Sequence, residues 1–521
     1  MRSLRLACAT ALASLMIVLC PPLHAQSSTR DATAARVQPR GDPLTGFDAY
    51  VAQAARDWDV PGLAIAVIKD GRTVFAKGYG VRELGRRDPV NEHTLFAIAS
   101  TTKAFTAAAV GMLVDEGKVR WDDPVTRHLP WFQLSDPAVT REVTVRDLLT
   151  HRAGVGNADF LWYEQDGTPR EIVTRLRYME PAYSLRSSFV YQNVMYAAAG
   201  EVVAAASGMP WQEFIRTRFL RPLGMNRTVT TLAETQGVAN VASPHEYVGD
   251  TLRVIGNSSV DPAAAAGSIW SSVHDMARWL AFLQRGCVTE SGQRLLREAT
   301  CEELFRPQTL RRDGSPAARL VQPHWSTYGL GWFQHDYEGR KVDYHTGSLD
   351  GMVAIAGLVR DGGIGVYMLG NRDHAELRHA LMYRVFDLYD GEPPRDWNRE
   401  LKAVYDSMDA RRDSTRRAAA AEPILEVGRP SLPLERYVGT YSDPLRGTVE
   451  VTMRNGGLYA RYGRRSGPVE HVGYDTFRAR WETEWRGSAT LQFIVSENGV
   501  PERLEFQRGT LRRERERTPD R

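Results

Sequence analysis

Ser100-Thr101-Thr102-Lys103 is the only place in this 521-residue chain where a serine precedes a lysine by three positions. Lysine is scarce, six residues (69, 77, 103, 118, 341 and 402) against sixty arginines, which makes the pairing informative. On a helix, residues i and i+3 lie one turn apart on the same face, so a hydroxyl and an amine come within hydrogen-bond reach. Arginine could not take the lysine's place, because a guanidinium keeps its proton near neutral pH whereas a crowded ammonium can release it. That is the chemistry of a nucleophilic serine beside a proton acceptor. Taken alone, the four residues also read as an ordinary helix start, with a hydroxyl cap and a solvated lysine.

Two further motifs bear on the choice. Tyr191-Gln192-Asn193 is the only Tyr-x-Asn in the chain and stands in a loop-like stretch before a small-residue helix. Alternation there presents Tyr191 and Asn193 to one side; the competing reading is a core tyrosine. His345-Thr346-Gly347 follows a short strand predicted over 341–344 and leads into Ser348. A glycine on an edge strand lets a ligand backbone approach and pair with it. His471-Val472-Gly473 repeats the spelling without supporting partners and is set aside.

These residues need elements to position them. A helix is predicted over 47–57, then a hairpin of two apolar strands round Asp70-Gly71. An Ala-rich helix spans 96–117, apolar on several faces and therefore buried. Further helices are predicted at 196–206, 211–220, 276–283 and 376–388. Strands are expected at 330–334, 341–344, 353–359 and 365–369. Strands at both ends with helices between predict an α/β unit whose sheet pairs the two ends. Residues 391–428 read as a charged, partly helical linker. Beyond it, short alternating segments at 437–441, 448–453, 458–462, 477–481, 490–495 and 503–506 predict a small antiparallel barrel or sandwich over 429–510, with a charged tail at 511–521.

A hydrophobic fraction of 43% and a charged fraction of 25% are those of a globular protein, and a net charge of +3 points to no nucleic-acid partner. Arg2 and Arg5 precede an apolar run over 6–19, too short to span a bilayer but right for a signal peptide of residues 1–25, cleaved after Leu23-His24-Ala25. The expectation is export to the periplasm or beyond, with a flexible lead-in at 26–44 and no later membrane span. Lipid attachment at Cys20 is disfavoured by the bulky Leu19 before it. Cys287 and Cys301 are then the only cysteines of the mature chain; a disulfide closing a short loop and two buried thiols are both open. No metal or cofactor is expected, since two cysteines without a nearby His pair make no zinc site.

In this order, Ser100-x-x-Lys103, Tyr191-x-Asn193 and His345-x-Gly347 resemble the three motifs of penicillin-binding-protein-like serine hydrolases, a group that includes class C β-lactamases, D-Ala-D-Ala carboxypeptidases, D-aminopeptidases and esterases. Flanking runs look alike too: Leu148-Leu149-Thr150-His151, Phe219 to Met225, and Tyr328 to Trp332. The resemblance covers roughly residues 45–390. It implies an α/β (α+β) β-lactamase-like domain, an antiparallel sheet flanked by helices with an all-helical subdomain, followed by a lipocalin-like barrel able to cover the cleft. It also implies an acyl-enzyme on Ser100, Lys103 and Tyr191 sharing the proton work, and Asn193 contacting Lys103 and the substrate. His345, Thr346, Gly347 and Ser348 would bind substrate, with the Ser100 and Ser348 N–H groups as oxyanion donors. The expected partner is a small peptide, amide or ester; oligomeric state is open. Lactamases carry lysine where this chain has His345, and a partly charged histidine attracts a substrate carboxylate less. Peptidase or esterase is therefore favoured over β-lactamase; a weakly catalytic scaffold that keeps the fold is the other alternative.

Overall fold

Asp70 and Gly71 both have positive φ, 50° and 72°, the backbone of a tight two-residue hairpin turn. They join the strands Gly62–Lys69 and Arg72–Gly80. The first strand is apolar on both faces because both are covered. Ala64, Ala66 and Ile68 face the helical body, while Leu63, Ile65 and Val67 pack under the helices Phe47–Asp57 and Leu377–Asp390. In this computed structural model, which describes residues 42–390, 395–421 and 428–514, that strand lies inside an eight-stranded antiparallel sheet. Its neighbour on the far side is Ile364–Gly370, with Leu63 opposite Gly370. The two ends of residues 47–390 therefore meet in one sheet, and the helices between them fill the other layer. The proposed leader (1–25) and most of the lead-in lie outside the described residues.

The strand carrying His345 is longer than the sequence indicated. It runs over Arg340–Leu349, so the His-Thr-Gly motif lies within it and not after it. Pairing with Phe333–Tyr337 stops at Tyr344, whereas pairing with Met352–Val359 continues to Leu349. Beyond Tyr344 one edge of this strand is left open. The buried helix that follows Ser100 is Thr102–Asp115, introduced by a short 3-10 turn, Ala99–Thr101. Cys287 and Cys301 form a disulfide with Cα atoms 5.9 Å apart.

A helix, Trp397–Ala421, leads towards a closed antiparallel barrel of eight strands in sequential order, Gly439–Asp443 to Gly509–Arg513. Two strands escaped the sequence reading. Arg465–Gly473 is too polar to look like a strand, and Gly509–Arg513 extends the barrel into the expected tail because Leu511 is fully buried. Tyr441, Phe477, Phe493 and Leu504 are among the side chains filling the interior. His471 sits on the Arg465–Gly473 strand, bonded to the Tyr474 carbonyl and away from the other motifs. Among the described residues, no helix is long and apolar enough to cross a membrane.

Candidate active site

The turn that carries Ser100 is built under strain. Ala99 has φ 45°, a left-handed conformation that costs a residue with a Cβ about 1–3 kcal/mol, and such outliers gather at functional turns. The strand bearing Gly347 passes so close that a Cβ there would stand 2.2 Å from the Ile98 carbonyl oxygen. Only glycine allows this approach, which sets the open strand edge beside Ser100.

Lys103 is fully buried, and its Nζ has three neighbours: Asn193 Oδ1 at 2.7 Å, the Ala266 carbonyl at 3.0 Å and Ser100 Oγ at 3.2 Å. Burial pushes its pKa down to about 7, against an upward pull from the Asp159 carboxylate. A neutral Lys103 would give its two N–H bonds to Asn193 and Ala266 and turn its lone pair to the Ser100 hydroxyl. Asn193 opens the helix Asn193–Ser207. Its Nδ2 donates to Asp159 Oδ1 at 2.8 Å, which fixes which end of the amide faces Lys103.

Tyr191 is half-buried, but its hydroxyl is enclosed near that of Ser100, and burial drives its pKa well above 10. Lys103 Nζ lies over the tyrosine ring, 4.7 Å from its centroid, and so does not pair with the oxygen. The ring also packs against that of His151, centroids 4.4 Å apart. His151 is buried with φ 58°, and its Nδ1 accepts the Gln192 backbone N–H at 3.0 Å, tying it to the Tyr-x-Asn turn. Burial and the nearby Lys103 hold this imidazole neutral.

His345 departs from its expected place among the substrate-binding groups. It is buried, and its Nδ1 faces the Thr346 carbonyl at 2.7 Å, which requires the proton on that nitrogen. Nε2 then accepts from the Tyr328 hydroxyl at 3.0 Å. Burial, aided by Lys103, pushes its pKa down to about 3, so it is a neutral strut behind the wall. Thr346 and Ser348 do line the cleft, a cavity of about 560 Å³, together with Ser100, Tyr191 and Asn193. Trp162, Tyr163 and Phe333 supply aromatic walls, and Asp159, Asp350 and Asp373 supply carboxylates; no lysine or arginine is among the lining residues.

The barrel reaches this cleft. Arg486, on the turn before its sixth strand, is 6% exposed and donates to Glu164 at 2.7 Å, Ser258 at 2.6 Å, Tyr163 and Asp350. A second barrel turn closes on the same segment: the Arg464 N–H donates to the Glu164 carbonyl at 2.9 Å, and Arg464 pairs with Asp166 at 2.8 Å. Residues 159–166 are thus gripped from the barrel while presenting Asp159, Trp162 and Tyr163 to the cleft. Neither Arg486 nor Asp159 carried a sequence signal; His151 was visible only in the Leu148–His151 run.

A family model described as Beta-lactamase matches residues 47–389, and a domain of unknown function (DUF3471) matches residues 426–517. An unguisins hydrolase of Aspergillus violaceofuscus is 28% identical over 502 residues, covering 88% of this chain and 87% of its own. A second, from Aspergillus campestris, is 28% identical over 427 residues and covers 78% of each. Among solved structures, the octameric penicillin-binding protein homologue from Pyrococcus abyssi superposes with a TM-score of 0.60 at 24% identity, covering 90% of this chain and 99% of that one. SurE superposes at 0.55 with 22% identity, over 90% and 99%.

Proposed function

Because the chain belongs to the Beta-lactamase family, we propose that it is an exported serine hydrolase that cleaves an amide or ester bond through an acyl-enzyme on Ser100. The observation that carries this reading is the buried Lys103, its Nζ 3.2 Å from Ser100 Oγ and its pKa brought down to about 7. Lys103 takes the hydroxyl proton as Oγ attacks the substrate carbonyl carbon. The Ser100 and Ser348 N–H groups stabilise the oxyanion that forms. As the intermediate collapses, the leaving amine or alcohol takes a proton from the Tyr191 hydroxyl, and the proton that Lys103 accepted is relayed to the phenolate oxygen through a water of the cleft, since Lys103 does not touch that oxygen. Water then releases the acyl group. Tyr191 is assigned this donor role over that of phenolate base because burial keeps the phenol protonated and Lys103 lies over its face.

Peptides, including those with D-residues, and small esters are favoured over β-lactams. The cleft is lined by carboxylates, and His345 is neutral and turned inward, so a penicillin carboxylate finds no cation waiting. The test is labelling of the full chain with a fluorophosphonate, located by peptide mass, alongside a panel of p-nitrophenyl esters, D-amino-acid amides and benzylpenicillin. Adduct on Ser100 with ester or amide turnover is expected. Labelling elsewhere, or none with any substrate, overturns the reading.

The pH dependence follows from Lys103. The base must be neutral, so kcat/KM for acylation is expected to rise with pH through about 7 and level off above it. A profile flat from pH 5.5 to 8.5 contradicts Lys103 as the base.

A further inference from the structure

Many of the described arginines are matched to carboxylates, as in Arg146 with Asp122 and Glu303, Arg186 with Asp147, and Arg216 with Glu213 and Glu234. One groove gathers several that are not. It encloses about 990 Å³ between the hairpin turn and edge strand at residues 70–76, the turn at 221–224, and the helix Val273–Gln284 with the Arg285 that follows it. His274, Arg278, Ala281 and Arg285 recur at intervals of four, three and four, one stripe along that helix, and Ala281 leaves room between the two guanidinium groups. Arg72 faces them from the edge strand and Arg221 from the turn.

Neither Arg72 nor Arg221 has an ion-pair partner among the described residues. Arg285 donates only to backbone carbonyls, those of Gly71 and Val288. Arg278 reaches one carboxylate, the largely exposed Glu290, at 3.7 Å. The other acid at the groove, Asp70, is held by Lys69 at 2.7 Å. Four guanidinium groups therefore converge from three sides with about one carboxylate between them.

We propose that this groove is a second binding site, for a ligand carrying two or more phosphate-type groups. Guanidinium forks match the paired oxygens of such groups, and concave placement raises the local potential above that of scattered surface arginines. None of these residues lines the catalytic cleft, so the inference stands apart from the reading of Ser100.

Titration calorimetry of the full chain with tripolyphosphate at 50 mM and 300 mM NaCl tests it. Micromolar binding is expected, at least about tenfold weaker at the higher salt. Arg72→Ser combined with Arg221→Ser, two side chains with no ion pair to lose, should weaken it by about tenfold or more while ester turnover and melting temperature hold. Co-sedimentation with phosphatidic acid vesicles, competed by tripolyphosphate, separates a lipid headgroup from a free ligand. Binding no tighter than millimolar at 50 mM NaCl, or equal binding by the double variant, overturns the proposal.

Discussion

Lys103→Met is expected to lower kcat/KM for an activated ester by about 10³-fold while leaving the melting temperature at or above that of the parent protein. The two halves have one cause. A lysine in solvent titrates near 10.4, but burial brings Lys103 down to about 7. The folded state thus binds its proton more weakly than the unfolded chain does. Between pH 7 and 10 the unfolded chain holds a proton that the folded one lacks, so stability rises with pH across that window. Below pH 7 the penalty is constant, on the order of 5 kcal/mol. Methionine fills a similar volume without it; what is lost is the bonds to Asn193 and Ala266, about 1–3 kcal/mol for each acceptor left bare, and the longer contact with Ser100 Oγ. Activity within tenfold of the parent would remove Lys103 from the proposed mechanism, and a large fall in melting temperature would show that its main role is structural.

Arg486→Met should be the most damaging substitution outside the cleft. It strips the shared cation from Asp350 and Glu164, side chains only 16% and 14% exposed. Breaking such a pair from one side costs about 3–5 kcal/mol when fully buried, and about 2–4 kcal/mol is expected at this exposure. The same change frees Tyr163 and the segment behind it, which carries Asp159 and hence the amide of Asn193. KM should therefore rise several-fold in the fraction that stays folded. Adding Asp350→Asn and Glu164→Gln removes the stranded charges and should recover much of the stability but not the KM. An unchanged melting temperature for Arg486→Met would mean that the barrel merely rests against the cleft.

Ser100, Lys103, Tyr191 and Asn193 could be picked out from the chain because each lies in a short motif whose spacing is imposed locally, by one helical turn or one loop alternation. The structure gathers these four at one cleft. The sheet that joins the two ends of the catalytic region was legible for a similar reason, since its strands are apolar runs bounded by turn residues. What escaped depends on tertiary placement. His345 looks the same in the sequence whether it faces solvent or a buried tyrosine, and only the fold makes it neutral. Arg486 is one of sixty arginines, set apart by where the barrel docks and not by its neighbours in the chain. Arg465–Gly473 was overlooked because five of its nine side chains are charged, hydroxylic, imidazole or proline, and its place in a closed barrel overrides that composition.

The pairing of Gly62–Lys69 with Ile364–Gly370 has a consequence for how the protein comes into being. The first strand is made long before its partner: one of its two hydrogen-bonding edges has none until some three hundred further residues exist. Contacts so distant along the chain form slowly, because a long loop must close before they are rewarded. Helices and the Asp70-Gly71 hairpin can form as soon as they are synthesised, but the strand that brings Gly347 against Ser100 cannot be locked in until the last strand arrives. Catalytic competence should therefore be among the final properties acquired in refolding, appearing in the slowest phase, well after helical signal has recovered.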